Sequence, residues 1–157
     1  MLTTPASPLR FHRLLLTGAA GYLGRELRPR LKAYCEVLRL SDRADLSPAT
    51  QGEEVQITAL EDKDQVLALL TEVSAVVHLG GVSTEQPWDT ILAGNISGMV
   101  NLYEAARLKG VKRIVFASSN HVTGFYRQDE VVNTRMPPKP DGFYGLSKAF
   151  GEDVAQM

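Results

Sequence analysis

Leu16-Thr17-Gly18-Ala19-Ala20-Gly21-Tyr22-Leu23-Gly24 decides how this chain folds. Its glycines recur at every third position, directly after a short aliphatic run, Arg13-Leu14-Leu15-Leu16-Thr17. Such a run, stopped by a glycine turn, reads as a buried strand. From Gly21 to Ala33 the apolar residues Leu23, Leu27 and Leu31 follow helical spacing, with Pro29 an unusual guest in the interior. Strand, glycine loop and helix together open a βαβ unit. Each glycine has a physical task there: Gly18 permits the sharp turn, Gly21 lets a pyrophosphate approach the backbone, and Gly24 lets the helix sit close to the sheet. The helix N-terminus, with free N–H groups and a favourable dipole, would receive the negative charge. Tight strand–helix packing without a ligand is the competing explanation; position between the first strand and first helix favours a dinucleotide.

The pattern repeats downstream. Strands are expected at Glu36–Leu40, Glu54–Ile57, Ala75–Leu79 and Lys112–Ala117, and helices at Asp62–Leu70, Trp88–Leu108 and from about Tyr144 to the terminus. Lys109-Gly110 places a cation and a glycine at the end of the long helix. Short strands alternating with helices predict an α/β fold: a doubly wound, Rossmann-type parallel sheet of about five strands with helices on both faces. Residues 13–157 form this one domain, and residues 1–12 read as a flexible leader without the apolar core of a signal peptide. The last helix has no further strand after it, so the sheet is expected to be incomplete at the C-terminal end.

Composition narrows the function. The 157 residues carry 17 Lys+Arg against 18 Asp+Glu, a net charge of −1, with no basic cluster to coat a nucleic-acid backbone. No aliphatic run approaches the ~20 residues of a membrane helix. The single cysteine, Cys35, leaves no internal disulfide and no multi-cysteine metal site. The expectation is a cytoplasmic protein without nucleic-acid, membrane or metal partners. Cys35 itself reads as a packed helix or turn residue.

Three features carry chemistry. Asp42, at the end of the second strand, lies about 20 residues past the glycines, where a carboxylate accepts hydrogen bonds from the adenosine ribose. It would repel a 2′-phosphate, so NAD is expected rather than NADP, although the neighbouring Arg43 could pair with that phosphate. A plain turn cap is the alternative for Asp42. Tyr144 and Lys148 stand four apart on one helix face. An ammonium group beside a phenol lowers its pKa from about 10, which suits the phenol to taking an alcohol's proton while hydride leaves. Ser118-Ser119 ends the fifth strand, in the crevice where such sheets bind ligands, and a serine hydroxyl there can bond the reacting oxygen.

In these residues the chain resembles an extended short-chain dehydrogenase/reductase of the NAD-dependent epimerase/dehydratase family. The likeness runs through Thr17–Gly24, Leu40-Ser41-Asp42, Val77–Ser83, Asn95–Ala106, Val115–Gly124 and Tyr144–Glu152. The glycine loop and the Tyr/Lys pair are common to the whole superfamily. The Ser-Ser-Asn-His and Phe-Tyr-Arg-Gln-Asp-Glu stretch is particular to members that oxidise sugar acids. The resemblance implies an NAD-dependent oxidation of C1 of a hexuronate, glucuronate or galacturonate, to the aldarolactone, in a homo-oligomer. A nucleotide-sugar epimerase or dehydratase with the same residues, or an inactive cofactor-binding fragment, are the alternatives.

The resemblance also implies roles. Ser119, Tyr144 and Lys148 are the catalytic group, with Asn95 supporting a proton-relay water or serving as a locally bonded helix residue. Gly18, Gly21, Tyr22, Leu23, Gly24, Asp42, Leu79, Gly80, Gly81 and Lys148 hold NAD. Ser83, Ser119, Asn120, His121 and Tyr144 hold the substrate, His121 being a turn residue in the other reading. His78 reads as a satisfied core histidine. Two departures stand out. Thr58-Ala59 replaces the family's Asp-Leu step beside adenine, and family members continue well beyond Met157 with further strands and an arginine for the sugar carboxylate.

Overall fold

A computed structural model describes residues 10–157; most of the expected leader, residues 1–9, lies outside them. Five strands form one wholly parallel sheet in the order β3-β2-β1-β4-β5. They are β1 Phe11–Thr17, β2 Cys35–Asp42, β3 Glu53–Ile57, β4 Ala75–His78 and β5 Arg113–Phe116. The central β1 is buried along Arg13–Thr17, which explains why it is aliphatic on both sides of the pleat. Phe11 and His12, assigned to the leader by composition, belong to β1, because Phe11 pairs in register with Cys35. Cys35 is likewise the first residue of β2 rather than a helix or turn residue, and its buried thiol donates to the Leu31 carbonyl.

Alternation along β1 feeds two cores. Leu14 and Leu16 pack with Leu38, Leu40 and Ala75 on one face, closed by Leu31 from helix α1 (Tyr22–Leu31). Leu15 and Val76 point to the other face, against α2 (Lys63–Leu69) and α4 (Gly98–Lys109) through Val66, Leu69, Leu102, Ala105 and Ala106. Helix α5 (Phe143–Val154) lies on this second face, where a Cβ on Gly151 would stand 2.7 Å from the Phe116 ring and 3.0 Å from Met99. Helices therefore cover both faces, as the alternating pattern requires.

Local chemistry sets the helix ends. Asp62 caps α2, its Oδ1 accepting from the Asp64 and Gln65 amides at 3.1 and 3.0 Å. Gly110, at φ 72°, closes α4 in the left-handed conformation, and Val111 N–H returns to Ala106 O at 2.9 Å. α1 ends at Leu31, the last member of the apolar stripe, and tightens into a 3₁₀ turn, Lys32–Tyr34, so the regular helix stops two residues short of the expected Ala33. Leu23, read as part of that helix's buried stripe, is 56% exposed; the stripe's first member faces the mouth of a cavity.

The long helix differs most from its sequence reading. It begins as α3 (Trp88–Ile91), becomes π-helical over Leu92–Ser97 and resumes as α4. Such wide turns are frequent at functional sites, and here the wide turn carries the buried Asn95. Replacing the fully buried Leu102 with alanine is expected to cost about 2–5 kcal/mol. Urea unfolding monitored by circular dichroism checks this; the midpoint should fall at constant slope.

Candidate active site

The carboxyl ends of β1, β2 and β4 splay apart at the point where the strand order reverses, and a cavity of about 590 Å³ opens there. This is the crevice in which open parallel sheets bind ligands. The glycine loop floors it with Gly18, Gly21, Tyr22, Leu23 and Gly24. Asp42 and Arg43 enter from β2, and Leu79, Gly80, Gly81 and Ser83 from the loop after β4. Tyr144 and Lys148 enter from α5, and Ser118 from the end of β5. Asn95, Ser119, Asn120 and His121 are not part of the lining; Asn95 is buried, whereas Asn120 and His121 are exposed.

Backbone approaches backbone so closely at the floor that side chains have no room. A Cβ on Gly24 would sit 2.2 Å from Gly18 O, and one on Gly18 would sit 2.7 Å from the Leu79 carbonyl carbon. Gly18 also has φ 68°, a conformation costly for other residues. The spacing seen in the sequence thus has a steric cause at Gly18 and Gly24, leaving the Gly21 side of the loop open to a ligand.

Asp42 does two things at once. Its Oδ2 accepts from Ala20 N–H and its Oδ1 from Ala44 N–H, both at 3.0 Å. It ties the glycine loop to the end of β2, as a turn cap would. A carboxylate has about four acceptor sites, so two remain for ribose hydroxyls in the cavity. Arg43 is largely exposed and 3.9 Å from Glu61. Thr58, in place of the expected Asp, lines the cavity; its hydroxyl is buried and has no hydrogen-bond partner in the protein. An orphaned hydroxyl beyond the ribose-facing carboxylate suits the base end of a dinucleotide, so floor, carboxylate and hydroxyl fit such a cofactor along its length.

Lys148 is buried, and burial pushes its ammonium below the ordinary lysine value. It donates to Ala117 O at 3.0 Å and lies 5.6 Å from the Tyr144 ring centroid. Two of its N–H groups are left for the cavity. Ser118 Oγ donates to Glu152, whereas Ser119 caps the 3₁₀ turn Asn120–Thr123, its Oγ accepting from His121 N–H at 3.2 Å. That turn holds the His121 ring edge-on to Tyr144 at 5.5 Å, and His121 Nδ1 pairs with Asp141 at 2.9 Å. Asn95 accepts from Val82 N–H at 2.7 Å and donates to Val82 O and Ser147 Oγ at 3.0 and 2.9 Å. Both amide hydrogens are engaged, so the side chain braces the loop after β4 against α5, and Oδ1 keeps one lone pair.

His78 is the satisfied core histidine that its sequence context suggests. It is fully buried 2.6 Å from Thr17 Oγ1, which itself accepts from Gly80 N–H at 3.1 Å. Burial, reinforced by the Lys148 charge, lowers its pKa to about 3. A neutral imidazole and Thr17 thereby steady the Gly80 peptide at the cavity wall. Thr17, Asp141 and Ser147 escaped the sequence reading because their importance lies in partners 20 to 63 residues away. Among the described residues no group of three His, Cys, Asp or Glu side chains could hold a metal, and no helix is long and apolar enough to cross a membrane.

Residues 14–157 match the NAD dependent epimerase/dehydratase family, and the chain belongs to it. A uronate dehydrogenase of Pseudomonas putida is 57% identical over 158 residues, covering 100% of this chain and 57% of that protein. The crystal structure of uronate dehydrogenase from Agrobacterium tumefaciens superposes with a TM-score of 0.92 at 52% identity, over 94% of this chain and 55% of that one. A mutant of that enzyme complexed with NAD gives a TM-score of 0.92 at 51% identity, over 94% of this chain and 56% of that one. The chain spans a little over half the length of the curated relatives it matches, 57% of the Pseudomonas putida protein and 54% of a uronate dehydrogenase of Pseudomonas syringae.

The buried His78 generates a prediction. An unfolded histidine binds a proton below about pH 6.5, whereas the folded one stays neutral until about pH 3. The unfolded state therefore binds more protons in that window, and stability falls as pH drops, by at most about 1.4 kcal/mol per pH unit. Urea midpoints at pH 7, 6, 5 and 4 should decline less steeply in His78→Gln than in the parent. Parallel slopes would refute the assignment.

Proposed function

We propose that this chain is the cofactor-binding part of an NAD-dependent dehydrogenase that oxidises C1 of a hexuronate to the aldarolactone. The observation that carries the reading is one cavity lined by the glycine loop, Asp42, Tyr144 and Lys148 together. The close similarity to uronate dehydrogenases supports the sugar-acid substrate, and the NAD complex of such an enzyme supports the cofactor. NAD, when bound, supplies the acceptor for the hydride that leaves C1.

In this reading the chain's residues bind, orient and move one proton. Gly18, Gly21 and Gly24 let the pyrophosphate approach the loop, with Tyr22, Leu23, Leu79, Gly80 and Gly81 as walls. Asp42 takes the ribose hydroxyls and Thr58 meets the base. Lys148 holds the nicotinamide ribose and sets its ammonium 5.6 Å from the Tyr144 ring centroid. Tyr144 takes the proton from the C1 hydroxyl as the C–H bond breaks, and Ser119 orients the same oxygen. Ser83, Asn120 and His121 hold the sugar, with Asp141 fixing the His121 ring. We assign the working protein to the cytoplasm as a homo-oligomer.

Tyr144→Phe should lower NADH formation from galacturonate by about 10²- to 10⁴-fold, while NAD binding measured by calorimetry stays within a few-fold. Unchanged turnover would exclude this proton route. Net NADH accumulation separates the dehydrogenase from an epimerase, which returns its hydride. Asp42→Ala should narrow the preference for NAD over NADP in parallel titrations, because the repulsion of a 2′-phosphate is gone; an unaltered ratio would remove Asp42 from cofactor selection.

A further inference from the structure

Helix α5 starts without a cap of its own. Gly142 precedes it with no side chain to accept the first amides, and the helix's first internal bond runs from Leu146 N–H to Gly142 O at 2.9 Å. The amides of Phe143 and Tyr144 would be left open to solvent. They are met instead by a residue 57 positions before Gly142 in the chain. Glu85 Oε1 accepts from Phe143 N–H at 3.0 Å and Oε2 from Tyr144 N–H at 2.9 Å.

The fit depends on Gly142. Its backbone is extended, so any residue could adopt it, yet a Cβ there would lie 2.4 Å from Glu85 Oε2 and 2.9 Å from Cδ. Glycine leaves the carboxylate free to sit this close, whereas a side chain there would push the flexible end of Glu85 off the two amides. A second contact reinforces the first: Trp88, three residues after Glu85, sits 5.3 Å from the Phe143 ring. Glu85 belongs to the loop after β4, whose Gly80, Gly81 and Ser83 line the cavity. The same loop is held at Val82 by Asn95, which also bonds Ser147 of α5. One loop is therefore pinned twice to one helix, and the outer pin falls on the backbone of Tyr144.

We propose that Glu85 is a positioning residue, whose carboxylate ties the cavity loop to the first turn of α5 and thereby sets Tyr144 against the reacting atoms. The proposal rests on the dehydrogenase reading for what Tyr144 does, and on geometry alone for the tie. Lys148, a full turn further along and anchored on Ala117 O, does not depend on the tie. Loss of Glu85 should therefore separate proton handling from cofactor binding.

The test compares the parent chain, Glu85→Ala and Glu85→Ala/Gly142→Ser. In the double variant a serine caps the helix from within, in space vacated by Glu85. Hydrogen exchange without ligand should speed up about fivefold at Phe143 and Tyr144 in Glu85→Ala and return toward the parent rate in the double variant. Unchanged exchange in Glu85→Ala would overturn the tie by itself. With galacturonate and NAD, kcat should fall about ten- to a hundredfold in both variants, with the NAD dissociation constant within about twofold of the parent. Recovery of kcat in the double variant would reduce Glu85 to a helix cap and overturn the proposal. A parent chain that forms no NADH would count against the dehydrogenase reading, and the exchange arm would then decide the tie alone.

Discussion

Everything in this site follows from how closely backbone meets backbone where β1 and β4 end. A side-chain carbon on Gly24 or Gly18 would collide with main-chain atoms of the glycine loop or of Leu79 and Gly80. Main-chain atoms cannot swing aside as a flexible side chain can, so the first helix, glycine loop and β4 loop seat together only with hydrogen at those positions. That contact fixes the floor of the cavity. It also fixes the direction in which α1 presents its N-terminus, the end of a helix that favours an anion.

On this floor the walls are held by polar bonds between distant segments. Asp42 ties the loop to β2 through Ala20 N–H, and Thr17, bonded to His78, receives Gly80 N–H. Asn95 and Glu85 tie the loop after β4 to α5. The π-helical turn over Leu92–Ser97 brings Asn95 to its partners, a geometry that a uniform α-helix would not repeat with the same residues. Tyr144 and Lys148 are thus placed by a network of bonds between segments distant in the chain. Site residues held by packing and secondary bonds keep their geometry better than residues on free loops.

Much of the fold was legible in the residues. β1 and β4 are aliphatic because they lie in the middle of a sheet covered on both sides, and the glycine triplet marks where the chain turns from β1 into α1. Boundaries were less legible. Phe11 and His12 look like leader but pair with β2, since register is set by the partner strand and not by local composition. Leu23 looks like core by its spacing yet faces the cavity mouth. Glu85, in Ser83-Thr84-Glu85-Gln86-Pro87, reads as solvated loop, because a cap supplied from another segment leaves no periodic signal.

By itself, the sequence determined the parallel α/β architecture, the glycine floor, Asp42 at the end of β2 and the Tyr144–Lys148 pair, all of them set by local spacing that strand and helix geometry impose. The tertiary structure alone decided which groups are already committed. Ser119 caps a turn, Asn95 has no free amide hydrogen, His78 is held neutral, and Thr58 keeps an unpartnered hydroxyl beside the cavity. A hydrogen bond's partner is a property of three-dimensional proximity, and pairs such as Asn95 with Ser147, 52 positions apart, or Thr17 with Gly80, 63 apart, carry no shared pattern along the chain.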